Sequence, residues 1–157
     1  MFKREKRNVV YATQTGQVLP IEKISDSVFA KKVLGDGVFI IPDNEKVYAP
    51  ITGRLRVVSD SKHAYGIVGQ DGIELLVHIG IDSVDLNGEG FKSYVNVGDK
   101  VKAGELLCEI DFQVFEKANI STETAIVIAN NERFKIIERN EMPTVAGITE
   151  IFRYEQI

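Results

Sequence analysis

Apolar and polar residues alternate in short bursts along this chain, and glycines or polar turns interrupt nearly every burst. In IELLVHIG, Ile73, Leu75, Val77 and Ile79 fall on one side of an extended segment, and Glu74, Leu76, His78 and Gly80 fall on the other. That two-residue period belongs to a strand with one buried face. The same pattern, bounded by turn residues, predicts further strands over 8–13, 16–20, 37–42, 46–49, 53–58, 62–68, 106–111, 124–128, 134–137 and 147–154. Only DFQVFEKA (111–118), with Asp111 as cap, and the shorter SVFAKK (27–32) read as helices. The expected fold is all-β: an antiparallel sandwich or barrel-sandwich with one or two short helices.

A weak repeat runs through the pattern. VVYATQTGQVLPIEKISDS and KVYAPITGRLRVVSDSKHA share V-Y-A-x-x-T-G, then an apolar strand, then a polar turn. This predicts a duplicated strand–turn–strand unit with Gly16 and Gly53 at equivalent turns. A separate glycine-turn hairpin, VNVGDKVKAGELLCEID, is of a kind found in barrel-sandwich folds generally.

The two histidines of the chain, His63 and His78, flank a Gly-Gln-Asp-Gly turn at 69–72. A two-residue loop at Gln70 and Asp71, or a four-residue loop over 69–72, sets them directly opposite; a loop at Asp71 and Gly72 makes them diagonal neighbours. Opposed Cβ atoms lie roughly 5 Å apart and diagonal ones about 7–8 Å, so in either case the rings can meet. A three-residue loop would send them to opposite faces. On the meeting registers the pair lies on the non-core face beside Leu76, Tyr65 and Ile67, as a reactive centre on an apolar docking surface.

Composition narrows the classes. The length of 157 residues suits a basic tail (1–7) and one domain (8–157), and 44% hydrophobic content is that of a globular chain. No apolar run approaches the roughly 18–20 residues that span a bilayer, and MFKREKRNVV lacks the apolar stretch of a signal peptide. Cys108 is the sole cysteine, so no intrachain disulfide forms and a reducing, cytoplasmic setting is expected. A net charge of −4 without a basic, aromatic-interleaved patch argues against nucleic acid as partner.

Paired imidazoles point first to phosphoryl transfer through a phosphohistidine: one ring nitrogen attacks phosphorus and the other ring steadies the equatorial oxygens. A zinc site would need a third ligand, and Glu74 and Asp82 stand at no recognised ligand spacing. Acyl transfer would need a nucleophile; Ser61 is near His63, but no G-x-S-x-G elbow occurs.

IELLVHIGIDSVDLNGEGF (73–91) resembles the active-site signature of the glucose-type EIIA domain of the bacterial phosphoenolpyruvate-dependent sugar phosphotransferase system. VFAKKVLGDGVFIIP, VYAPITGRL, the His-Ala of 63–64 and GDKVKAGELLCEID follow in the family's order, so the resemblance runs from about residue 9 to 152. It implies a β-sandwich, no cofactor and no metal, and a relay in which phospho-HPr phosphorylates His78, expected at Nε2, and His78 passes the group to a cysteine of an EIIB sugar-permease domain. His63 would be the supporting imidazole. Ser61, where the family commonly has Thr, would bond the phosphate. Asp82 would stand at the rim of the site, its alternative being to cap the bend after Gly80. Phe29, Val33 and Leu34 match the family's apolar partner-binding patch, and Tyr65 and Leu76 lie close to the histidines. The membrane would be met only through the permease. An alternative role is a regulatory binding module, whose phosphorylation state at His78 controls partner enzymes or transporters. Zinc endopeptidases of related β architecture are disfavoured, because no H-x-H element occurs.

Overall fold

The computed structural model describes residues 8–157, and the expected basic tail over 1–7 lies outside them. Among the described residues the strands are β1 (Val9–Tyr11), β2 (Gly16–Pro20), β3 (Asp36–Pro42), β4 (Lys46–Tyr48), β5 (Gly53–Val58), β6 (Ala64–Gly69), β7 (Glu74–Ile79), β8 (Phe91–Ser93), β9 (Lys100–Val101), β10 (Leu106–Ile110), β11 (Thr124–Ile128), β12 (Phe134–Arg139), β13 (Met142–Thr144) and β14 (Glu150–Gln156). Two short helices, α1 (Ser27–Ala30) and α2 (Phe112–Lys117), and 3-10 turns at Ile21–Lys23 and Ser83–Leu86 complete the regular structure. The all-β expectation holds. Asp111 caps α2 as expected, accepting from Gln113 N at 2.9 Å. Strands β8, β9 and β13, of two or three residues each, were not foreseen.

The strands form an eight-stranded sheet, ordered β13-β2-β3-β11-β7-β6-β5-β9, and two three-stranded sheets, β1-β14-β12 and β4-β10-β8. Residues from all three share one core, among them Val10, Val47, Leu55, Val77, Leu107, Ile126 and Phe152. The order is symmetric about the β11–β7 seam, so the predicted duplication extends beyond β1-β2 and β4-β5. Tyr11 N donates to Pro50 O at 2.9 Å and Tyr48 N to Thr13 O at 2.8 Å, a reciprocal pair at equivalent repeat positions. Thr15 Oγ1 accepts from Ala146 N at 3.1 Å and Thr52 Oγ1 from Ala103 N at 3.0 Å. The second copy, β4 to β10, is thus inserted between β3 and β11 of the first.

The histidine hairpin takes a register other than the expected ones. Val68 and Glu74 are the last pair. They leave a five-residue loop closed by Gly69 N to Ile73 O at 2.9 Å, with Gly72 in the left-handed region at φ +92°. An odd loop has the parity of the three-residue case, so His63 falls across from Ile79 and Ala64 across from His78. The correction follows down the strand: Tyr65 and Ile67 pair with Val77 and Leu75 and are fully buried in the main core. Tyr65 is therefore not part of a docking surface; burial raises its phenol pKa, with Cys108 adding to the shift.

Candidate active site

His78 lies on the outer face of β7, two residues before a left-handed glycine. Gly80, at φ +82°, aims its carbonyl back at the ring, and His78 Nδ1 donates to Gly80 O at 3.1 Å. A carbonyl only accepts, so this bond fixes the proton on Nδ1 and leaves the Nε2 lone pair free. On one side the Phe29 ring packs against the imidazole, centroids 5.0 Å apart and tilted by 53°. On the other stands His63, also 5.0 Å away and nearly perpendicular at 82°.

The rings meet despite the register because His63 is not in the strand. The turn from Ser59, closed by Lys62 N to Ser59 O at 2.9 Å, puts Lys62 at φ +62° just before it. That left-handed residue takes the backbone off the pleat, so the His63 side chain escapes the alternation that would have pointed it into the core. Ser61 Oγ lies 2.7 Å from His63 Nδ1 and Ser59 Oγ 3.3 Å from it. Ser59 Oγ also accepts from Ala64 N at 3.1 Å. With Ser61 donating to Nδ1, the neutral His63 ring presents Nε2–H as its donor. The hydroxyl of Ser61 is thus engaged by a histidine, where the resemblance implied a phosphate.

Burial holds both imidazoles below the ordinary range. For His63 the neighbouring ring adds repulsion; for His78 the Gly80 carbonyl and the charges of Asp26 and Asp82 pull the other way. Both rings are therefore neutral near pH 7, the form in which Nε2 is nucleophilic. Asp82 is exposed and left-handed at φ +58°, and its side chain makes no cap bond to the Ser83–Leu86 turn, so the capping alternative is not realised. Asp26 was missed in the sequence. It caps α1 by accepting from Val28 N at 2.8 Å and Phe29 N at 3.2 Å, and its legible signal was an Asp just before a short apolar helical run. Ser59 and the Gly80 carbonyl carried no comparable signal.

The expected partner-binding residues divide. Val33 and Leu34 are exposed, at 68% and 41%. Phe29 is only 4% exposed, because it joins Ile21, Ile24, Phe39, Ala125 and Val127 in a second apolar cluster that covers the outer sheet face. Leu76 is half-buried against that cluster. Phe29 thus shapes the site by walling His78 and offers a partner little surface of its own.

The family described as phosphoenolpyruvate-dependent sugar phosphotransferase system, EIIA 1, matches residues 8–134. The PTS system glucose-specific EIIA component of Buchnera aphidicola is 36% identical over 150 residues, covering 96% of this chain and 93% of that protein. The glucose-specific EIICBA component of Staphylococcus saprophyticus is 45% identical over 123 residues, 78% of this chain, but this chain spans only 18% of that protein's length. The EIICBA component of Streptococcus pneumoniae is 37% identical over 146 residues, 93% of this chain and 20% of its own length. Among solved structures, glucose permease IIA from Mycoplasma capricolum superimposes with a TM-score of 0.88 at 32% identity, covering 97% of this chain and 98% of that one.

Proposed function

Since the chain belongs to the EIIA 1 family of the phosphoenolpyruvate-dependent sugar phosphotransferase system, we propose that it is a phosphocarrier whose phosphoryl group rides on His78 Nε2. The Nε2 lone pair attacks the phosphorus of a donor phosphohistidine, the donor P–N bond breaks, and its electron pair returns to the donor ring. In the second half an acceptor thiolate attacks the same phosphorus and the P–Nε2 pair returns to His78. His63 Nε2–H bonds the equatorial oxygens as charge shifts through each in-line displacement. The single observation that carries this reading is the His78 ring pinned through Nδ1 with His63 edge-on at 5.0 Å.

The donor we assign is HPr, and the acceptor is a cysteine of an EIIB domain. The EIICBA names of two relatives support a sugar-permease partner. Such a carrier works in the cytoplasm and reaches the membrane only through that partner; among the described residues no helix is long and apolar enough to cross a membrane.

The test is incubation with phosphoenolpyruvate, enzyme I and HPr. One acid-labile phosphate per chain is expected, absent in His78→Ala. His63→Gln should still accept phosphate and be slow to deliver it to EIIB. Labelling that survives His78→Ala would overturn the assignment.

A further inference from the structure

The exposed apolar pair Val33 and Leu34 sits in the loop between α1 and β3, and four charged side chains clamp the two ends of that loop. Arg139 Nη1, from β12 in a different sheet, donates to Glu22 Oε1 at 2.7 Å, to Asp36 Oδ1 at 3.3 Å and to the Gly37 carbonyl at 3.3 Å. Lys32 Nζ reaches the same two carboxylate oxygens, at 3.5 and 3.4 Å. Asp36 Oδ1 also accepts from Gly37 N at 2.9 Å. Lys32 and Gly35, either side of the apolar pair, both have positive φ, and a Cβ on Gly35 would lie 2.1 Å from Ile128 O. The loop therefore holds an uncommon backbone path, fixed at each end by one shared set of charges. Its first residues continue the helix whose Phe29 ring packs on His78.

Resting on the transfer reading above, we infer that Arg139 is a positioning residue for partner docking: through Glu22 and Asp36 it sets the loop that carries the exposed Val33 and Leu34, directly after the helix whose Phe29 ring packs on His78. Arg139 lies beyond the 8–134 stretch matched by the family. Single ion pairs at such exposure are weak. A shared network is different, because losing its central guanidinium weakens the hold on Glu22 and Asp36 together and leaves Lys32 to bridge the two carboxylates.

The experiment measures the steady-state kinetics of phosphoryl acceptance from phospho-HPr, with melting temperature recorded for every variant. Arg139→Met should raise the KM for phospho-HPr about three- to tenfold and leave kcat within about twofold, since docking and not chemistry is disturbed. Arg139→Lys should recover most of the loss. Glu22→Gln, at an exposed position where folding is not at stake, should shift KM in the same direction. The double variant Glu22→Gln/Arg139→Met should be no worse than Arg139→Met alone. An unchanged KM in both single variants overturns the inference, as does a fall in kcat at constant KM. Losses that multiply in the double variant overturn it too, because Arg139 would then meet the partner itself. A wild-type chain that accepts no phosphate defeats the transfer reading, and a wild-type chain that accepts normally while the variants behave like it defeats only this one.

Discussion

His78 and His63 carry a pH dependence whose sign follows from their burial. In the unfolded chain both imidazoles take up protons as pH falls through about 6.5. In the folded protein the same rings stay neutral to lower pH, because desolvation penalises the charged form. Above about 6.5 both states hold neutral rings and the pair adds nothing. Below it the unfolded state binds protons the native state does not, so stability falls as pH drops from about 6.5 towards the lowered native values and levels off beneath them. Urea midpoints at pH 7.5 and 5.5 should therefore differ more for the wild type than for His63→Gln/His78→Gln; equal differences would mean the rings are not desolvated as described.

Tyr65 supplies a second test at the same scale. It lies in the main core facing away from the histidines, so Tyr65→Phe should leave phosphotransfer KM and kcat unchanged. A rise in KM would restore Tyr65 to the docking face. The misplacement has a plain cause. Whether a loop holds an even or an odd number of residues flips every side chain of the strand, and Gly69, Gln70, Asp71 and Gly72 are compatible with either parity. The pairing of the histidines was legible from their being two in one hairpin, whereas the left-handed Lys62 that rescues it from the register was not, since lysine has no special preference for positive φ.

At the scale of elements, the turn after β7 decides the chemistry. Gly80 sits at φ +82°, and a Cβ there would lie 2.8 Å from Phe115 Cε2 and 2.9 Å from Ser83 Cβ. The turn is also tied by Ser83 Oγ donating to Ile79 O. Gly80→Ala should cost roughly 1–3 kcal/mol through backbone strain and overpacking. For a domain of this size that lowers Tm by about 2–4 °C per kcal/mol. Because the Gly80 carbonyl holds the Nδ1 proton, the variant should also accept phosphate more slowly at temperatures where it is fully folded. Acceptance at the wild-type rate would show that this bond does not govern the tautomer. Strands of five or more residues were placed by alternation to within three residues at each end, whereas α1 and the loop between α1 and β3 were readable only in part. The Asp26 cap marks the start of α1 and Gly35 the end of that loop in the sequence, but Arg139 is more than a hundred residues away, and no local pattern joins it to Asp36.

The whole molecule joins two copies of one unit, and the copies are not chemically alike. With Gly16 and Gly53 as equivalent turns, stepping the strand registers across the sheet makes Val127 the counterpart of His78 and Asp36 the counterpart of His63. One side of the dyad therefore carries the imidazole pair. At the matching places the other side carries an apolar residue under Phe29 and a carboxylate of the Arg139 network. Both copies' Ser-Asp-Ser turns also serve this one site: Asp26 acts on His78, and Ser59 and Ser61 hold His63. The scaffold beneath the chemistry stays symmetric, which makes the duplication testable without touching the histidines. Thr15 and Thr52 occupy equivalent positions and each receives the backbone N–H of an equivalent alanine across the waist. Thr15→Val and Thr52→Val should each leave one such N–H unpaired and cost about 1 kcal/mol. Matched falls in denaturant midpoint are expected, with phosphotransfer unchanged in both. If one substitution is costly and its counterpart silent, the two halves share topology without sharing the forces that hold the waist, and the Thr-Gly turn kept in both repeats would need another cause.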